Sequence, residues 1–289
     1  MRPLGGGRGT GLALVAPALV VLAVVTVFPA LWVMWLSLQR RIPIFGISAF
    51  EGWGNYLFLA GDPRFWNAAW VTLIFTVVSV LLELALGVLV ALALVGQRRG
   101  VRTAIALLLL SWALPAVVTG KLFEWLYNPA AGLVNFLLGG ARLNWLGDPT
   151  LAFPGLVLAD VWRTMPFVAI LCLARLRGIP AEVYEAARVD GAGPLATLVR
   201  ITLPLCKQIL LIAVLFRTLD ALRAFDLMFV LTGGGPAGTT ETLTVYAYRS
   251  LFQTLHLGLG SAIGVVVFAL VMLVAWGYLR ALRHEGIAA

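Results

Sequence analysis

Six apolar stretches, at about 11–38, 68–95, 103–127, 151–174, 208–232 and 258–281, govern what this chain can fold into. About twenty apolar residues in helical form cross a hydrocarbon core of about 30 Å. Each stretch meets that length. Backbone N–H and C=O groups find no water inside a bilayer, so a spanning segment must satisfy them internally, and long apolar runs do so as helices. The chain of 289 residues is 61% hydrophobic and 12% charged, with a mean hydropathy of +0.98. That charge is too little to cover a soluble protein of this size. The expected fold is an all-α membrane protein of about six transmembrane helices, forming one transmembrane domain over residues 1–289.

The first stretch follows a short basic end with Arg2 and Arg8. Its apolar run is too long for a signal-peptide core, and Trp32, Met34 and Trp35 extend it, so it reads as a retained span. The net charge of +8 does not point to nucleic acid, because the basic residues form no aromatic-basic face. Their placement instead sets the topology. With the N-terminus inside, Arg2, Arg8, Arg98, Arg99, Arg102, Arg175, Arg177, Arg188, Arg200, Lys207, Arg280 and Arg283 fall on the cytoplasmic side, and Arg40, Arg41, Arg64, Arg142 and Arg249 fall outside. Twelve against five places both termini in the cytoplasm. Arg40 and Arg41 lie just beyond the first span, where long side chains snorkel to headgroups.

The outer segments 46–67 and 126–149 carry Gly, Pro and Trp and read as interfacial loops with short helical pieces. Cys172 and Cys206 have no metal-ligand spacing and read as small apolar fillers. His256 and His284 are isolated. There is no H-E-x-x-H run and no convincing Ser/His constellation, which weighs against an intramembrane enzyme. No G-x-x-x-x-G-K-[ST] run occurs, so the chain holds no nucleotide through a P-loop of its own.

A cytoplasmic segment, Ile179 to Pro204, interrupts two spans. Pro180 suits a helix's first turn, and Glu182 and Glu185 suit its positive end. Gly191, Gly193 and Pro194 then break the helix. A second short helix is expected over Leu195–Thr202, with Pro204 ahead of the next span. On physical grounds this is either an amphipathic connector or a docking element. Glu185-Ala186-Ala187, three residues, Gly191, nine residues, Ile201, one residue, then Leu203-Pro204 matches the EAA motif, and on it the chain resembles the permeases of binding-protein-dependent ABC importers. The resemblance implies the type I ABC importer permease fold, with residues 179–204 as the coupling loop. It assigns ATPase coupling to Glu182, Glu185, Ala186, Ala187, Asp190 and Gly191: Glu185 as polar contact, Ala186 and Ala187 as sites of close approach, Gly191 as the turn.

Phe225-Asp226-Leu227 through Thr232-Gly233-Gly234-Gly235-Pro236, then Thr242-Leu243 and Tyr246 to Tyr248, is similar to the carbohydrate-importer branch, with its maltose F-type and trehalose and glycerol-phosphate A-type subunits. Six spans match the shorter members and point away from maltose in particular. The resemblance implies half of a translocation path for a di- or oligosaccharide, trehalose- or maltose-like, or a polyol phosphate. It implies a second homologous permease subunit, a separate ATPase dimer that binds ATP and Mg, an extracytoplasmic solute-binding protein, and a bacterial inner-membrane location. No cofactor is expected on this chain. A secondary transporter or channel is the alternative, although an EAA loop has no role there.

Ionisable groups within spans demand an explanation. They are Glu83, Lys121, Glu124, Asp160, Arg163, Arg217, Asp220, Arg223 and Asp226. The last four alternate in sign at i, i+3 and form either a self-neutralising ladder or a polar stripe along the path. By helical rise, Trp112, Asp160 and Asp220 fall near the midplane, where transporters place substrate sites. Trp112, Asp160, Arg163 and Asp220 together offer an aromatic face and hydroxyl-binding groups. Family positions add Ala116, Thr164, Phe167, Arg217, Ala221 and Ala224. Glu83 is expected to bond a neighbour, and Lys121 with Glu124 to pair near the outer mouth.

Overall fold

The computed structural model describes residues 8–97, 99–140 and 142–284. Of the charges used for topology, Arg2, Arg98 and the side chains of Arg8 and Arg283 lie outside the described residues. Helix α1 (Arg8–Leu22) continues through a π turn at Ala23–Val27 into α2 (Phe28–Ser37). A hairpin of β1 (Gln39–Ile42) and β2 (Ile47–Phe50) follows, then α3 (Gly54–Gly61), α4 (Pro63–Val95), α5 (Val101–Ala113), α6 (Ala116–Leu126), α7 (Leu133–Leu137) and α8 (Ala152–Arg177). The chain goes on through α9 (Ala181–Val189), α10 (Pro194–Thr197), α11 (Leu203–Leu222), α12 (Asp226–Leu231), α13 (Leu243–Tyr248) and α14 (Leu257–His284). Among the described residues, five helices are long and apolar enough to cross a membrane, or six when the bent pair α5–α6 counts as one span.

Two of the predicted spans are broken. The third, expected as one helix over 103–127, stops at Ala113, and α6 leaves at 99° to α5. Pro115 has no N–H and disfavours the helical conformation at the residue before it. Leu114 is accordingly extended, at φ −66°, ψ 133°. The fifth, expected over 208–232, ends at Leu222, and Asp226–Leu231 is a separate helix. No proline marks that break. The carbonyl of Ala224 is instead taken by the Thr244 hydroxyl at 2.6 Å, which replaces the lost helical bond.

Pro204 does not separate the loop from the fifth span. Pro194–Leu222 is one continuous helical run, with a π turn at Leu198–Thr202. The proline ring crowds the carbonyl four residues earlier, which is Arg200, inside the turn. Pro29 and Val25 stand in the same relation in the π turn of the first span. The widened turn absorbs the ring without ending the helix.

The chain divides into two compact units, one from Met1–Asp62 with Tyr246–Val266, the other from Pro63–Val245 with Val267–Ala289. In the first, the hairpin pairs Gln39 with Phe50 and Arg41 with Ser48. Arg40 and Arg41 thus lie in a strand just beyond the first span. Asn55 Nδ2 donates to the carbonyls of Ser37 and Gln39 at 2.8 and 3.0 Å, and Tyr246 donates to Asp62 at 2.7 Å.

In the second unit, α4 and α8 pack most extensively. A Cβ at Gly87 would lie 2.7 Å from Val168 Cγ1, so only glycine allows this approach. Phe75, Leu156, Met228 and Val245 fill the adjoining core. Cys172 and Cys206 are buried free thiols in a neighbouring apolar cluster. Between α6 and α8, Asn135 is buried, donating to Leu143 O and accepting from Trp145 Nε1, both at 2.9 Å.

Candidate functional site

A cavity of about 310 Å³ opens in the second unit, where both broken spans end. Trp112 and Ala116 flank the α5–α6 break. Arg217, Asp220 and Ala221 come from the last turns of α11, and Ala224 from the segment beyond it. Asp160, Arg163 and Thr164 face it from α8. A helix that stops at depth frees backbone and side chains to line a cavity, and interrupted spans are where transporters build their sites. Nine of the ten predicted path residues meet here. The tenth, Phe167, stands behind Trp112, its ring stacked at 6.1 Å and 18°, and Phe216 packs edge-on against it at 6.4 Å. Trp112 is thereby held against the cavity wall.

The charged groups form one connected array. Arg217 Nε and Nη2 donate to Glu83 Oε2 and Oε1 at 2.5 and 2.8 Å. Arg217 also reaches Asp160 at 3.4 Å and Asp220 at 3.5 Å. Arg223 pairs with Asp220 at 2.7 Å, and Arg163 with Asp160 at 3.3 Å. Thr164 Oγ1 lies 2.6 Å from both Glu83 Oε1 and the carbonyl of Asp160, and its single proton serves one at a time. Glu83 does bond its neighbours, as expected, but it is the fully buried anchor of the array. The i, i+3 ladder runs Arg217–Asp220–Arg223, and Asp226 opens the next helix. Arg223, Phe225, Asp226 and Leu227 also line the cavity. Arg223 and Asp226 were expected on either a ladder or a path-lining stripe, whereas Phe225 and Leu227 were not expected here because 208–232 reads as one straight helix. Lys121 and Glu124 pair at 2.6 Å, both exposed.

The loop over residues 179–204 is a helix, a turn and a second helix. Gly191 has φ +73°, a left-handed conformation that glycine adopts without steric cost. Its N–H bonds the Arg188 carbonyl at 3.1 Å, and the Ala192 N–H bonds the Ala187 carbonyl at 2.9 Å, the paired bonds of a Schellman cap. Glu182, Ala186 and Asp190 are exposed, as is Glu185. Ala187 is 3% exposed, so its small size serves packing inside the chain, and Ala186 is the alanine that faces out. Val189 and Leu195, which sequence reasoning passed over, are exposed apolar residues on either side of the turn.

The loop after α12 is braced to α4. Arg64 pairs bidentately with Glu241 at 2.8 and 2.7 Å. Asn67 Nδ2 donates to Gly238 O, and Leu243 N to Thr72 Oγ1, each at 2.9 Å. The Gly235–Pro236 peptide is cis.

Membrane-length helices, two of them interrupted around a polar cavity, define a membrane transport component. Residues 83–283 match the family described as binding-protein-dependent transport system inner membrane component, and the chain belongs to that family. It is 40% identical to the trehalose/maltose transport system permease protein MalF of Thermococcus litoralis, over 95% of this chain and 94% of that one. It is 38% identical to the trehalose transport system permease protein SugA of Mycobacterium tuberculosis, over 94% of this chain and 88% of that one. Its fold is similar to a chain in the crystal structure of a bacterial ABC transporter involved in the import of the acidic polysaccharide alginate, with TM-score 0.81, 21% identity and 94% coverage of both chains. The chain is thus an ABC-type permease subunit of the inner membrane, a transport component and not an enzyme.

Proposed function

We propose that this permease carries a sugar, and that the cavity at the two helix breaks is its half of the translocation path. The observation that supports this reading is the pairing of a half-exposed Trp112 ring with a row of carboxylates and guanidiniums. A sugar hydroxyl accepts a hydrogen bond and donates one at the same time. Arg–Asp pairs offer a donor and an acceptor side by side, and the ring accepts the C–H face of a pyranose. Sugar permeases at 38–40% identity support the same reading.

In this reading a second, homologous permease subunit completes the path. An extracytoplasmic solute-binding protein delivers the sugar. A separate ATPase dimer binds ATP and Mg, and this chain holds no cofactor. Residues 179–204 face the cytoplasm, as do both termini. The exposed Glu182, Glu185, Ala186 and Asp190 touch the ATPase, while Gly191 sets the turn that presents them. Closure of the ATPase on this loop drives alternating access.

The test is purification of the assembled complex through a tag on this chain, followed by uptake of labelled trehalose and maltose into proteoliposomes. Copurification of a nucleotide-binding subunit and ATP-dependent uptake are expected. Uptake that persists without ATP, with no nucleotide-binding subunit present, would overturn the reading in favour of a secondary transporter.

A further inference from the structure

The cavity's charge balance narrows what can enter it, given that the cavity is the sugar path. Three guanidiniums line it, those of Arg163, Arg217 and Arg223, and three carboxylates, those of Asp160, Asp220 and Asp226. Each guanidinium is engaged by a carboxylate: Arg163 by Asp160 at 3.3 Å, Arg223 by Asp220 at 2.7 Å, and Arg217 by Glu83, Asp160 and Asp220 together. The lining is therefore already balanced. Glu83, fully buried behind the wall on α4, adds a fourth carboxylate. An anionic ligand would have to pull a carboxylate off its guanidinium, or sit beside an acidic surplus in a medium that screens charge poorly. A neutral hydroxyl needs neither, since it inserts between a guanidinium donor and a carboxylate acceptor.

We infer that this chain's half of the path is built for uncharged sugars and discriminates against sugars bearing phosphate, sulfonate or carboxylate groups, with Glu83 setting that selectivity from outside the cavity. Glu83 is a positioning residue. Its two oxygens fix Nε and Nη2 of Arg217, so the cavity meets that guanidinium already paired. A glutamine at this position keeps the size and one acceptor but removes the fourth carboxylate, so the array passes from an acidic surplus to balance and Arg217 keeps only the longer contacts to Asp160 and Asp220, at 3.4 and 3.5 Å. Among the substrate classes implied by the family resemblance, this retains trehalose- or maltose-like sugars and removes the polyol phosphates.

The experiment is saturation-transfer NMR on the assembled transporter in nanodiscs without the binding protein, which removes that protein's own selectivity. The probes are trehalose, maltose, trehalose 6-phosphate and glycerol 3-phosphate. Ala116→Trp, which fills the cavity, identifies cavity-dependent signal. Cavity-dependent signals for trehalose or maltose, with those of the phosphates at least ~10-fold weaker, are expected. Glu83→Gln should shift the phosphate-to-neutral ratio upward by a similar factor. Should that variant not assemble, Asp160→Asn makes the same change of one charge. Phosphate signals equal to the neutral ones in the unmodified protein overturn the charge rule and leave the sugar path standing. An unchanged ratio in a well-assembled Glu83→Gln complex overturns the role of Glu83. Absence of cavity-dependent signal from all four probes removes the sugar path itself, and the inference with it.

Discussion

Glu83 on α4 and Arg217 on α11 meet in a bidentate pair across 134 residues of sequence, with Nε and Nη2 of the arginine 2.5 and 2.8 Å from the two carboxylate oxygens. Both side chains are buried. Removing one partner leaves a charge without its bidentate counter-ion, at a cost of about 3–5 kcal/mol. Glu83→Ala is expected to destabilise the chain by that order. Glu83→Ala with Arg217→Ala should cost less than the two singles summed, by about 0.5–3 kcal/mol. Unfolding in mixed micelles measures both, and simple additivity would mean the pair is not coupled.

Asp220 is half exposed at the cavity wall and holds Arg223. A hydrogen bond to a charged group contributes about 1.5–3 kcal/mol, and about 1.4 kcal/mol is tenfold in affinity. Asp220→Ala is therefore expected to weaken the sugar dependence of ATP hydrolysis by the assembled transporter by about 10- to 100-fold. An unchanged response would remove Asp220 from the site.

Gly191 stands at φ +73° between the loop's two helices. A side chain with a Cβ in that conformation costs about 1–2 kcal/mol, more when β-branched. Gly191→Val should leave membrane insertion intact and lower transport more than binding. Full transport by Gly191→Val would show that the turn need not be held.

Glu185 is exposed at the middle of α9, one turn beyond Glu182, the acid of that helix's first turn. Glu185→Lys reverses its charge without touching a packed neighbour. The expected result is a correctly inserted chain that no longer copurifies with its ATPase and no longer transports. Retention of both would argue against a coupling contact there.

At Gly87 an added Cβ would fall within 2.7 Å of Val168 and 3.1 Å of the Ala169 backbone N. Backbone cannot yield as a side-chain tip does, and overpacking costs about 1–3 kcal/mol. Gly87→Val should destabilise α4 against α8 by at least that order, read as a lower thermal midpoint. The same change at Gly264, with nothing within 4 Å, should be tolerated.

The spans were legible because hydrocarbon imposes a length, and a run of about twenty apolar residues satisfies it wherever it stands. The EAA loop was legible because Glu185, Gly191 and Leu203-Pro204 keep a fixed spacing. The break at Leu114-Pro115 was also written locally, in the proline. The break after Leu222 was not, since Arg223 and Phe225 carry no breaker and the freed Ala224 carbonyl is satisfied by Thr244, twenty residues on. For the same reason Asp226 was placed on the ladder and belongs to the next helix.

Ala186 and Ala187 read alike in sequence, and only packing turned one outward and the other in. The sequence by itself determined that this is a many-spanning membrane protein with an EAA loop, because composition and spacing are local properties. The tertiary structure alone decided that Glu83 anchors Arg217 and that two helix breaks meet at one cavity. Those facts depend on which distant side chains a packed bundle brings within hydrogen-bonding reach.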